Sequence, residues 1–126
     1  MTGIEPRLRA MQATLRETPH LLRLGRLFSE TVLLTVGDEA YYLFFRDGVV
    51  TEIGVGHSRK TPWRFAIRTD AAALNDFWQP LPRPGFHDIF GLAKIGRAEI
   101  DGDILALVKN LRFFKEFLAL GREVRQ

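Results

Sequence analysis

The residues best suited to chemistry are the adjacent His87 and Asp88, which follow a proline-rich stretch and precede a short helical pattern. Such a pair supplies metal ligands, or a general acid and base, when further carboxylates converge on it. Asp88 equally suits the first turn of a helix, where a carboxylate offsets the positive end of the helix dipole, with His87 left facing water. His20 and His57 are the other histidines, and no two of the three have the i, i+4 spacing of a helical metal clip. Glu99, Asp101 and Asp103 alternate around Gly102 but lack the ligand ladder and closing Glu of a calcium loop, so a turn leading into a helix cap accounts for them. Gly54-Val55-Gly56 follows a strand pattern, yet the third glycine and the following helix of a dinucleotide loop are missing. Ser29 and Ser58, the only serines, lie outside any Gly-x-Ser-x-Gly elbow. With no cysteine, thiolate nucleophiles, thiolate metal sites and disulfides are excluded. No metal or cofactor is expected. Pro80-Leu81-Pro82-Arg83-Pro84 has polyproline-ligand spacing, but within a compact domain it reads as a rigid connector.

Composition bounds the setting of these residues. A chain of 126 residues fits one domain, 1–126, and buries enough surface to need no covalent staple. Lys and Arg exceed Asp and Glu by only three charges, too small a surplus for a nucleic-acid partner to be expected. Met1 to Arg9 has no apolar signal-peptide core, and the uncharged apolar run Ile104 to Val108 is too short to span a bilayer. A cytoplasmic protein is therefore expected. Contact with an anionic membrane surface stays open to the basic amphipathic helices.

The elements follow from apolar spacing. Leu8, Met11 and Leu15 predict an N-terminal helix over Glu5 to Glu17. A second helix starts at Thr18-Pro19 and carries Leu21, Leu24 and Phe28, so helices occupy 1–28. Strands are predicted at Thr31 to Val36, Tyr41 to Phe45 and Val49 to Val55, the last two joined by an Asp47-Gly48 hairpin turn. A two-residue turn puts Phe44 opposite Thr51 and Tyr42 opposite Ile53, which leaves apolar residues on both faces and the core face undecided. Alternation in Trp63 to Arg68 aims Trp63, Phe65 and Ile67 inward and Arg64 and Arg68 outward. A helix follows from Thr69-Asp70 to Trp78, then the proline loop, a helical piece from Phe86 to Leu92 and a strand from Gly96 to Ile100. These make up a segment, 31–100, of sheet with inserted helices. The final helix, 103–120, has two apolar stripes: Leu107, Leu111, Phe114 and Leu118, then Phe113, Phe117 and Leu120. Both must be covered.

Taken in order, these elements resemble the sterol-carrier-protein type of lipid-binding domain, in the manner of a bacterial stand-alone member. The likeness rests on Tyr42 to Gly48, Trp63 to Asp70, and Gly96 to Asp103 followed by Leu105, Leu107 and Leu111. It covers about Thr31 to Leu120. The resemblance implies an α+β fold: a mostly antiparallel sheet of about five strands, packed on one side by N-terminal, middle and C-terminal helices. It also implies a hydrophobic tunnel that carries a fatty acyl or sterol-like molecule without catalysis. On this chain Leu107, Leu111, Phe114, Phe117 and Leu118 would line that tunnel, facing Phe65 and Ile67. Trp78, Phe86 and Phe90 join them by their position beside the proline loop. The segment Gln79 to Gly91 is longer and richer in proline than the usual link, and Val124-Arg125-Gln126 is not the peroxisomal signal of eukaryotic members. Two other functions remain open: a small isomerase- or hydrolase-like enzyme using His87 and Asp88 on a hydrophobic substrate, and a partner-binding module with a filled core. Association with a second copy is compatible with all three.

Overall fold

The computed structural model describes residues 3–124; Met1, Thr2, Arg125 and Gln126, which carry part of the terminal readings above, lie outside the described residues. Two helices open the chain, α1 (Ile4–Arg16) and α2 (Pro19–Leu24), and lead into β1 (Thr31–Val36), β2 (Glu39–Arg46) and β3 (Val49–Val55). Next come β4 (Phe65–Thr69), α3 (Ala71–Phe77), α4 (Ile89–Lys94) and β5 (Glu99–Gly102). The chain ends in α5 (Ile104–Lys109), α6 (Leu111–Ala119) and a 3-10 turn at Leu120–Arg122. The five strands form one sheet in the order β3-β2-β1-β4-β5. All neighbours are antiparallel except β1 and β4.

Val32, Leu34, Val36, Leu43, Phe45, Phe65 and Ile67 pack on one face against buried residues of every helix. The other face carries Leu33, Ala40, Tyr42 and Ala66, with Phe44 and Trp63 packed on them and no helix among them. The β3–β4 crossover runs over that second face, and Ser58 accepts a hydrogen bond from the Tyr42 hydroxyl through its carbonyl at 3.0 Å.

Several sequence expectations need correction. The second helix stops at Leu24, which is exposed, and Phe28 enters the core from the turn after it; the last strand runs Glu99–Gly102 rather than from Gly96. The Asp47-Gly48 turn is present, with φ of 51° and 81°, but the hairpin register is not the simple one. Phe45 pairs with Val50 and Phe44 with Glu52, so Thr51 is an extra residue, a β-bulge. The bulge resolves the two-faced pattern: Leu43 now pairs with Ile53, and Val50 and Ile53 both reach the core despite their odd spacing. Trp63 does not point inward. The chain bends at Arg64 and β4 begins only at Phe65, so Trp63 lands on the second face. The last helix is two helices, because Asn110 leaves helical geometry at φ −117°, ψ 24° and its side chain donates to the Ala106 carbonyl at 2.9 Å. Asn competes for nearby backbone in this way, which makes it a poor residue for a helix interior.

Candidate functional site

The layer between the core face of the sheet and α6 is aromatic. Phe65 on β4 meets Phe114 on α6 edge-on, ring centroids 5.2 Å apart, and Phe114 stands 6.1 Å from Phe117. Phe45 on β2 packs edge-on against Phe117 at 5.1 Å and against Phe28 at 5.0 Å. Phe113 completes the cluster, 5.6 Å from Phe28 and 5.9 Å from Phe45. Edge-to-face rings match positive rim to negative face and add to the gain from burial. The cluster depends on a close approach at the end of α2: a methyl group on Gly25 would sit 2.4 Å from the Phe113 ring. Phe28 and Phe45 were not among the tunnel residues expected from sequence, and Phe113 stood only in the second stripe. A break signal at Gly25, which carries Phe28 off the helix and into the core, was the clue to the first.

The expected lining residues divide into groups. Phe65, Ile67, Leu107, Phe114, Phe117 and Leu118 are all buried in this interior. Trp78 and Phe86 are buried in the same core but anchored elsewhere. The Trp78 indole N–H donates to the Leu118 carbonyl at 2.9 Å, and the Arg7 guanidinium lies 5.1 Å from its ring. Phe86 sits under Arg83, 4.4 Å from its guanidinium. Leu111 is half-buried and borders a surface hollow with Arg112, Lys115 and Glu116. Phe90 is 36% exposed on the outer side of α4.

Arg122, unremarked in the sequence, ties this region together. Its Nε donates to the Phe77 carbonyl at 2.7 Å, and one terminal nitrogen donates to the carbonyls of Phe86 and His87. Burial lowers its pKa. Arg7 donates to the Gly121 carbonyl, so the closing turn is held by both α1 and the end of the proline loop. A long side chain whose head finds backbone carbonyls leaves no periodic trace in sequence.

The His87–Asp88 pair does not converge on a pocket. His87 is exposed, while Asp88 caps α4 by accepting the Gly91 N–H at 2.8 Å and pairs with Lys115 at 3.2 Å. Partial burial pushes the Asp88 carboxyl up, but the Gly91 bond and Lys115 outweigh it and leave its pKa below the ordinary value. The carboxylate is thus committed to a cap and an ion pair. Among the described residues, no three His, Asp or Glu side chains gather as metal ligands, and no helix is long and apolar enough to cross a membrane.

Superposition on solved structures shows that the chain has the sterol carrier protein 2 type of fold. A crystal structure of sterol carrier protein 2 matches with a TM-score of 0.75 and 18% identity over 95% of this chain and 96% of that one. A Thermus thermophilus protein described as a candidate sterol carrier protein gives 0.74 and 18% over 98% and 89%. A UbiJ ubiquinone synthesis protein gives 0.59 and 16% over 88% of each chain. At such identities the likeness is one of fold. Neither a family model nor a curated protein matches the chain.

Proposed function

We propose that this chain, as one domain, binds and carries a lipid or other small apolar molecule without catalysis, in the interior between sheet and helices. The observation that supports the reading is the aromatic layer under α6, in a fold shared over nearly its full length with a protein named for carrying sterols. Phe65, Ile67, Leu107, Phe114, Phe117 and Leu118 form the lining. The structure describes this interior in its packed state, so a ligand gains room by moving side chains or an element. The element best suited is α5, a six-residue helix set off by the break at Asn110, whose one buried side chain is Leu107. Withdrawing α5 takes Leu107 and the partly buried Ala106 off the core, and an apolar ligand in the place of Leu107 keeps the surface beneath it away from water.

A second reading, a partner-binding module with a solid core, is favoured by the rings themselves. Phe28, Phe65, Phe113, Phe114 and Phe117 are each 2% exposed or less. One experiment separates the two. Organic extraction of purified protein with mass spectrometry, and displacement of a fluorescent fatty acid and a fluorescent sterol, should reveal a bound apolar molecule at about one per chain. A clean extract with no uptake of either probe would overturn carriage and leave the solid-core module.

A further inference from the structure

The exposed large apolar side chains are unevenly placed. Of the nine among the described residues, Leu24, Leu27, Ile104, Leu105 and Val108 belong to two segments, the end of α2 with its following turn, and α5. The topology brings these segments to one end of the sheet. Residues 24–30 lead into the start of β1, and α5 follows the finish of β5, which pairs through Gly102 with the start of β4. Arg64 bridges them by binding both Glu30, at 3.0 Å, and Asp103, at 3.4 Å. The remaining four lie elsewhere: Val55 on β3, Leu81 in the proline loop, Phe90 on α4 and Ile95 just after it.

Cations frame the apolar end. Arg23, Arg26 and Arg112, with His20 and Leu24, border a hollow of about 470 Å3 between α2 and α6. Lys109 closes α5 beside Val108. Among the described residues Arg23, Arg26 and Lys109 make no ion pair, and Arg112 pairs only with Glu116 on its own helix. Of the acids nearby, Glu30 and Asp103 share the one guanidinium of Arg64, and Asp47, hydrogen-bonded to Ser29, has no cation partner among the described residues. Exposed leucines with unneutralised Arg and Lys around them complement one kind of surface, an acyl layer beneath anionic headgroups. A two-fold contact with a second copy fits poorly, since it sets these cations against their own counterparts.

We propose that this end of the domain seats on an anionic bilayer, with Leu27 and the outer face of α5 entering the interface and Arg23, Arg26, Lys109 and Arg112 meeting headgroup phosphates. Docking of this kind goes beyond carriage and is measured without any ligand in the interior, so either can fail alone. The test is flotation of the intact chain with vesicles of phosphatidylcholine, with and without phosphatidylglycerol. Binding is expected only with phosphatidylglycerol and should weaken as salt rises. Arg23→Ala with Arg26→Ala should reduce partitioning about thirtyfold, taking each cation's worth near a membrane at face value. Leu27→Asp with Leu105→Asp should abolish binding, while Val55→Asp with Leu81→Asp should leave it unchanged, all with native circular dichroism. No flotation, equal flotation on both vesicle types, or equal loss in both leucine-bearing pairs would overturn the proposal. So would self-association that Leu27→Asp abolishes in a chain that does not float.

Discussion

Replacing Phe114 by Ala tests the packing of the aromatic layer. Phe114 is 1% exposed, and its ring centroid lies 5.2 Å from Phe65, 6.1 Å from Phe117, 6.2 Å from Phe45 and 6.5 Å from Phe28. Phe→Ala in a core costs about 3–5 kcal/mol, the transfer of the lost ring atoms plus the cavity left behind. Four aromatic neighbours, two of them edge-on, place this site at the upper end, about 4–5 kcal/mol, because each edge-to-face pair adds to burial. For a domain of this size that is a fall in melting temperature of roughly 15–20 °C. Urea unfolding followed by circular dichroism in the cold reads the loss directly, and Phe114→Leu supplies a milder variant if the Ala variant is too unstable. A loss below about 1.5 kcal/mol for Phe114→Ala would refute a close-packed interior, since cavity formation there could not cost so little. The same variant bears on carriage: space beside Phe65 should strengthen uptake of a fluorescent fatty acid if the interior is the binding site.

Deleting Thr51 should leave the fold intact, because the pairs Phe45–Val50, Phe44–Glu52 and Leu43–Ile53 then form a regular register with Val50 and Ile53 two positions apart on the core face; a collapsed melting temperature would show that the bulge itself is required. Gly121→Ala should destabilise the closing turn and alter tryptophan fluorescence, because the new methyl would lie 2.2 Å from the Trp78 ring nitrogen. Acid should expose the depressed carboxylates. Asp88 is held low by Gly91 and Lys115 against partial burial, and Glu116 by its hydrogen bond from His20 before that from Arg112. A carboxyl lowered in the folded state contributes stability that is fully present above its unfolded pKa, near about 4, and is lost as pH falls through the folded value. Unfolding free energy should therefore be flat with respect to these groups above about pH 5 and fall below about pH 4, with Asp88→Asn showing a shallower fall. An unchanged acid limb in that variant would show the Lys115 pair to be without effect on stability.

Much of the fold was legible in the chain, because apolar period and turn chemistry are local. Leu8, Met11 and Leu15 marked α1, Asp47-Gly48 marked the hairpin, and Asp70, Asp88 and Asp103 all cap helices by accepting a backbone N–H. The aromatic stripes on the last helix already required a cover. Tertiary structure alone decided what covers them. The Thr51 bulge, the bend at Arg64 and the parallel pairing of β1 with β4 arise from how distant segments meet, and none follows from the spacing of apolar residues. Phe28 and Phe45 join Phe113, Phe114 and Phe117 because the end of α2 can approach α6 at Gly25, a contact across more than eighty residues of chain. The clustering of Leu24 and Leu27 with α5 has the same origin: residues at opposite ends of the sequence become neighbours because β1 and β5 flank β4 in the sheet, so the ends of both lie on one side of the molecule.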